Sequence, residues 1–234
     1  MSQTPERPAF PMSIGSYNNE VSPRRAEARR MAASMRRLIE RLVDTDAPID
    51  ALAEAIAHVD AATQVLDGFG KAAGWPSSGE HDFAEAANSG DPHAHFDRSP
   101  VVGHSNPMAP PIRLEQEGDV IRGTVTFNRA YEGPPGNVHG GWIAAAFDEV
   151  LGMTQSMTGN PGMTAYLKVN YRKPTPLDTA LTFEGELVRV DGRKIFTAGR
   201  VMRPDGEVTA DAEALFVSVE FWKFFGAASQ PAPE

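Results

Sequence analysis

Tyr131-Glu-Gly-Pro-Pro-Gly-Asn-Val-His-Gly-Gly-Trp-Ile-Ala-Ala-Ala-Phe-Asp-Glu-Val-Leu-Gly152 is the stretch that decides how this chain folds. A Gly/Pro-rich loop runs into a His139-Gly140-Gly141 turn, and the turn opens a long helical pattern. Trp142, Ile143, Ala146, Phe147, Val150 and Leu151 cover more than one face of that helix, so it needs cover on several sides. Asp148 sits among these apolar neighbours. Unpaired backbone N–H groups at a helix start can hold an oxyanion or polarise a carbonyl. A carboxylate further along can act as base or nucleophile.

The surroundings of this helix, about residues 139–158, are strand-like. Ile112–Glu117 and Val120–Phe127 alternate around Gly118-Asp119, which reads as a hairpin. After the helix come Met163–Tyr171, Ala180–Val190, Lys194–Met202 and Glu207–Val219. They are separated by Lys-Pro-Thr-Pro, Asp191-Gly192 and Arg203-Pro-Asp-Gly206, strong turn signals. Two strands, one long helix and four strands make an α+β pattern. The simplest solution is an antiparallel sheet of about six strands wrapped around the helix.

The N-terminal half reads differently. Residues 1–21 are polar and irregular. Ser22-Pro23 looks like an N-cap followed by Pro at the first helical position. Met31, Met35, Leu38 and Leu42 follow at helical spacing as a core stripe, with the arginines on solvated faces. A second helix starts near Asp46-Ala-Pro48, traces a face with Leu52, Ile56, Val59 and Leu66, and ends at Asp67-Gly68. The pair, residues 22–69, predicts a helical hairpin extension. Residues 70–109, rich in Gly, Pro, Ser, Asp and His, read as a linker that wraps over something. The sheet-and-helix domain spans 110–222, and 223–234 reads as a flexible tail.

Composition bounds the function. The chain has 234 residues, no cysteine and a formal net charge of −9. There is no Cys nucleophile, disulfide or thiolate metal site, which fits a reducing, cytoplasmic setting. The acidic balance argues against a general nucleic-acid binder. No apolar run approaches the roughly 20 residues needed to span a bilayer, so no integral membrane segment is expected, and Met1 to Met12 lack the pattern of a signal peptide. His93-Ala-His95-Phe-Asp97 invites a metal reading, but Pro92 and the loop composition offer no rigid frame, so no metal is expected.

The layout resembles the hotdog-fold thioesterases, in particular the PaaI-like branch and the mitochondrial thioesterase-superfamily proteins. The matching text is Tyr131-Glu-Gly-Pro-Pro-Gly, Val138-His-Gly-Gly and Phe147-Asp, then Met163-Thr-Ala-Tyr-Leu-Lys-Val-Asn-Tyr-Arg-Lys-Pro-Thr-Pro-Leu177 and Asp191-Gly-Arg-Lys-Ile-Phe. It covers roughly residues 110–220. The resemblance implies hydrolysis of acyl-CoA thioesters without metal or redox cofactor; the flexible Met153, Met157 and Met163, candidate pocket walls, favour medium or long fatty acyl chains over aromatic ones. By position, Asp148 matches the catalytic carboxylate and Gly140 the glycine whose N–H polarises the thioester carbonyl. Thr164 matches a hydroxyl that places the attacking water. His139 shapes the loop and helix start or serves as a base. Arg172 and Lys173 sit where some members meet the nucleotide or phosphates of CoA. Asn137 and Gly141, in the loop and helix start, and Met163, a candidate wall of the acyl pocket, complete the substrate-binding set. One departure stands out: several members carry Asn six residues before the His, where this chain has Gly133. Asn137 is in the same loop but out of register.

Gly140 and Asp148 are eight residues apart, about 12 Å along a helix at ~1.5 Å per residue. One thioester carbon cannot touch both on a single helix. The chemistry therefore predicts a homo-oligomer, a dimer or dimer of dimers, with shared sites. Competing readings are a non-catalytic acyl-CoA-binding protein, a hydratase or dehydratase of the same fold, and a scaffold whose N-terminal helices dock a partner. The first would not need Asp148 and Thr164. The second would want an acid and a histidine paired near the helix start, whereas His139 precedes the glycines.

Overall fold

A computed structural model describes residues 21–69, 96–160 and 162–219. The calls on residues 1–20, on most of the 70–109 segment including His93 and His95, and on the C-terminal tail lie outside them. In chain order the elements are α1 (Pro23–Val43), α2 (Ile49–Asp67), β1 (Arg113–Glu117), β2 (Val120–Thr126), a one-turn 3-10 helix (Arg129–Tyr131), α3 (Gly140–Ser156), β3 (Gly162–Tyr171), β4 (Ala180–Asp191), β5 (Lys194–Met202) and β6 (Val208–Ser218). The six strands form one antiparallel sheet in the order β1-β2-β4-β5-β6-β3. This is the α+β architecture expected, with α3 packed against β2 through β6.

The apolar distribution along α3 explains why the sheet curls around it. Ile143, Ala146, Phe147, Val150, Leu151 and Met153 are all buried. They meet Phe183, Leu181, Ile121, Ile195, Val201 and Phe216 from the strands. Phe147 and Phe183 pack edge-to-face with centroids 5.1 Å apart, a geometry that adds to simple area burial. Close approach is permitted by two glycines paired across β4 and β5, Gly185 and Gly199. A Cβ on Gly185 would stand 3.0 Å from Val150 Cγ1, and one on Gly199 would stand 3.0 Å from Leu151 Cδ2. The two-residue hairpin loops carry Gly118 and Gly192 at φ +59° and +57°, the left-handed backbone that tight hairpins require.

The core reaches further back than position 110. Val102 and Ala109 are fully buried, and Phe96 and Val101 pack against the core. The described end of the 70–109 segment is thus a strap over the body of the fold.

Both N-terminal helices form, with Ser22 Oγ accepting from the Arg25 N–H and Pro23 in the first turn. Their faces, however, are turned opposite to expectation. On α1 the stripe Met31, Met35, Leu38 and Leu42 is exposed. The inward face carries Arg25, Arg29, Ala32 and Arg36. Arg29 Nε donates to Asp97 Oδ1 at 2.7 Å, and Arg25 Nε lies 3.8 Å from Asp97 Oδ2. Arg36 Nη1 donates to the Asn106 carbonyl at 2.9 Å. These guanidiniums grip the strap because its turns present a buried carboxylate and accepting carbonyls, which offset the cost of burying charge. On α2 no residue is buried, and α2 makes no extensive contact with α1 within the chain. No helix among the described residues is long and apolar enough to cross a membrane.

Candidate active site

The loop before α3 is built to deliver the helix start. Tyr131 is buried between Phe127 and Trp142, with ring centroids at 5.5 and 5.1 Å; burial pushes its phenol up to about 12. The His139 N–H donates to the Tyr131 carbonyl at 2.9 Å and the Val138 N–H to the Thr175 carbonyl at 2.8 Å. The chain crosses itself here. A Cβ on Gly133 would stand 2.7 Å from His139 Cα. No side chain fits there without shifting backbone, so the Asn that the resemblance would place at this position is excluded by the loop itself. Asn137 does not fill that role by its contacts: its amide donates to the Pro135 carbonyl at 2.9 Å and so braces its own turn.

His139 is the N-cap of α3, and its Nδ1 accepts from the Gly141 N–H at 3.0 Å. That contact fixes Nδ1 as acceptor and takes up the Gly141 donor. The Gly140 N–H has no protein acceptor among the described residues. It points out at the positive end of the α3 dipole. Tyr171, at the far end of β3, donates its hydroxyl to the Gly140 carbonyl at 2.7 Å and lays its ring 3.3 Å from where a Gly140 Cβ would be. Tyr171 was missed as a site residue, although it lies inside the Asn-Tyr-Arg-Lys motif. A strand antiparallel to the helix brings its last residue back to the helix start.

The other end of β3 meets Asp148. Thr164 Oγ1 donates to Asp148 Oδ1 at 2.9 Å across 16 residues of sequence. Asp148 Oδ2 has no hydrogen-bond partner among the described residues. The register of β3 on β6 slips between Thr164 and Tyr166, leaving Ala165 as an extra residue. A bulge re-aims the side chains beside it, and here it stands next to the hydroxyl that reaches the acid. Met163 is exposed at the same end.

Glu149, adjacent to Asp148, turns under the strap. Ser99 Oγ donates to Glu149 Oε1 at 2.8 Å. Burial pushes its carboxyl up, and the neighbouring Asp148 pushes the same way, against the Ser99 hydrogen bond.

Arg172 and Lys173 lie together after β3, and both are already paired. Arg172 binds Asp211, which also accepts from the Asn170 amide at 2.7 Å; Lys173 binds Glu207. Arg172 and then Asn170 hold the Asp211 carboxyl below its ordinary value. The basic strand end therefore carries little free positive charge. Asp97, from the motif considered for metal, is engaged by Arg29 and Ser105.

One chain thus presents two half-sites, a free N–H with Tyr171 at the start of α3 and the Asp148–Thr164 pair two turns on. They stand eight helical positions apart, about 12 Å.

Comparison with known proteins bears on the family and the fold. Residues 135–210 match the family described as the thioesterase superfamily. A crystal structure of a thioesterase superfamily protein is 36% identical, covers 81% of this chain and 94% of its own, and superimposes with a TM-score of 0.69. Acyl-coenzyme A thioesterase THEM4 of Xenopus laevis is 35% identical over 89 residues, 38% of this chain and 40% of that one. Acyl-coenzyme A thioesterase THEM5 of Homo sapiens is 32% identical over 65 residues, 28% of this chain and 26% of that one. The match to the frog protein therefore spans about two fifths of that relative's length.

Proposed function

Since the chain belongs to the thioesterase superfamily, we propose that it hydrolyses acyl-CoA thioesters to the free acid and CoA. The observation that carries this is the hydrogen bond from Thr164 to Asp148, which leaves one carboxylate oxygen of an exposed acid open.

In the proposed reaction the Gly140 N–H and the α3 dipole stabilise the charge that grows on the thioester oxygen. Tyr171 holds the Gly140 peptide in place. Asp148, from a second copy of the chain, either takes a proton from a water that attacks the carbonyl carbon, or attacks the carbon itself. In the first route C–O forms to water and C–S breaks. In the second a mixed anhydride forms, CoA thiolate leaves, and water then cleaves the anhydride. Thr164 orients the carboxylate or the water. The thiolate is a good leaving group, so the step asks for no strong general acid.

The two-copy requirement follows from the ~12 Å between the half-sites. It is supported by β3, a 10-residue edge strand with exposed Met163, Tyr166 and Tyr171, since unpaired edges of this length are pairing surfaces. The assembly is a homodimer or a dimer of dimers. Met163, with the adaptable side chains of Met153 and Met157, favours medium- or long-chain fatty acyl groups, which places the activity in fatty acid metabolism in the cytoplasm. CoA phosphates reach Arg172 and Lys173 only by sharing or displacing Asp211 and Glu207.

The test compares wild type with Asp148→Asn, following CoA release with a thiol reagent across acetyl-, hexanoyl-, decanoyl-, palmitoyl- and phenylacetyl-CoA. The cysteine-free chain adds no background. A loss of about 100-fold or more in the variant supports Asp148 as the reacting carboxylate. If wild type binds acyl-CoA and releases no CoA from any of the five, the hydrolase reading fails and the binding-protein reading replaces it.

A further inference from the structure

We propose that α2 seats on α1 of a second copy of this chain, so that two copies exchange their second helices. The two helices carry largely apolar rows that are exposed over most of their length among the described residues. On α1 the row is Met31, Met35, Leu38 and Leu42, exposed by 39–62%. On α2 it is Leu52, Ile56, Val59 and Thr63, continued by Leu66; Ile56 and Leu66 are each 60% exposed.

The rows match when the helices run antiparallel. Reading α1 backwards against α2 forwards pairs Leu42 with Leu52, Leu38 with Ile56, Met35 with Val59 and Met31 with Thr63. The steps are four, three and four residues on both helices. This is the spacing of a two-helix seam with knobs entering holes. Opposite helix dipoles favour the antiparallel sense.

Charge selects the pairing. Within Pro23–Val43, α1 has seven arginines and two glutamates, a net of +5. Within Ile49–Asp67, α2 has Asp50, Glu54, Asp60 and Asp67 and no lysine or arginine, a net of −4. An α1–α2 contact joins opposite charges, whereas α2 against α2 sets like charges together.

The link between the helices directs α2 outwards. Proline disfavours helical backbone at the residue before it, here Ala47. Pro48 itself is extended, with φ −68° and ψ 162°. Asp44, at the start of the link, is held to the body by Arg129 at 3.2 Å. The chain leaves α1 in an extended path, and the partner's α2 makes the contacts that its own α2 does not. Exchange of identical elements is a low-cost route to a dimer. None of this depends on the reaction the protein catalyses.

The absence of cysteine gives a direct test on the full-length chain. Leu38→Cys and Ile56→Cys chains, each with a different tag, are co-expressed and mildly oxidised. Both positions are exposed, and far-UV circular dichroism checks that the variants stay helical. The expected product is a disulfide dimer carrying both tags, at least tenfold more abundant than the dimer formed by either variant alone. Three results overturn the proposal. The first is an Ile56→Cys homodimer as abundant as the mixed one, which pairs α2 with α2. The second is a double variant, Leu38→Cys with Ile56→Cys, that closes within one chain and migrates as a monomer. The third is no disulfide in any combination.

Discussion

α3 and α1 are both long helices with a clear apolar stripe, yet the fold uses them in opposite ways. α3 buries its stripe in the sheet, with eight of its 17 residues inaccessible. α1 leaves its stripe in the open and turns arginines inward, with only Arg25 and Ala32 buried. The difference lies in what each helix faces. α3 faces the concave side of a sheet that offers chiefly apolar side chains and glycines. α1 faces a strap whose turns offer Asp97 and the carbonyls of His104 and Asn106. A guanidinium with a long apolar stem satisfies both the packing and the polar groups there. Periodicity marks a face; the chemistry of the neighbour decides which face goes in.

Four substitutions sharpen or break this contrast, in descending order of expected effect. Phe147→Ala, in the buried stripe of α3, is expected to cost about 4 kcal/mol in urea unfolding. A cost under about 1 kcal/mol would mean that α3 is no more a core helix than α1. Asp97→Ala removes the carboxylate that the inward arginines surround and is expected to cost about 3 kcal/mol, with α1 becoming sensitive to limited proteolysis. If α1 stays protected, the apolar stripe holds it and the guanidiniums do not. Thr164→Val deletes the hydrogen bond to Asp148 while keeping its shape. A hydrogen bond to a charged group is worth about 1.5 kcal/mol, so kcat is expected to fall about tenfold; an unchanged kcat would reduce Thr164 to an ordinary strand residue.

The smallest effect concerns Glu149 and is visible only as a pH dependence. Its carboxyl is raised above the ordinary value of 4.5, chiefly by burial. The folded state therefore holds the proton more tightly than the unfolded chain, and stability is lost as pH rises from the ordinary value through the folded one. Glu149→Gln keeps an acceptor for Ser99 without the charge. The variant is expected to equal wild type at pH below the ordinary value and to be more stable above it, by thermal melts across that range. A constant difference at all pH values would show that Glu149 does not titrate under the strap.

The strands and α3 were legible in the sequence to within a residue or two, because each carries its own punctuation: Gly118-Asp119, Gly192, Pro204-Asp-Gly206, and His139-Gly140-Gly141. The Asp148–Thr164 contact was legible only through resemblance, since the bulge at Ala165 that aims Thr164 has no glycine to announce it. The inward face of α1 was not legible for a specific reason. Arg25, Arg29, Ala32 and Arg36 repeat with the same four-three-four steps as Met31, Met35, Leu38 and Leu42. Two stripes of equal period compete, and hydrophobicity alone picks the wrong one. The burial of Glu149 was not legible for a different reason: its partner, Ser99, comes from a strap that has no periodicity to read.

The depth at which α3 lies in the sheet is fixed by Gly185 and Gly199, whose missing side chains admit Val150 and Leu151. Both half-sites ride on that one rigid rod. A methyl added at either glycine would shift the Gly140 N–H and the Asp148 carboxylate together, without touching either residue. Two positions that contribute no functional group at all thus act as the gauge block that sets where both ends of α3 stand in the fold.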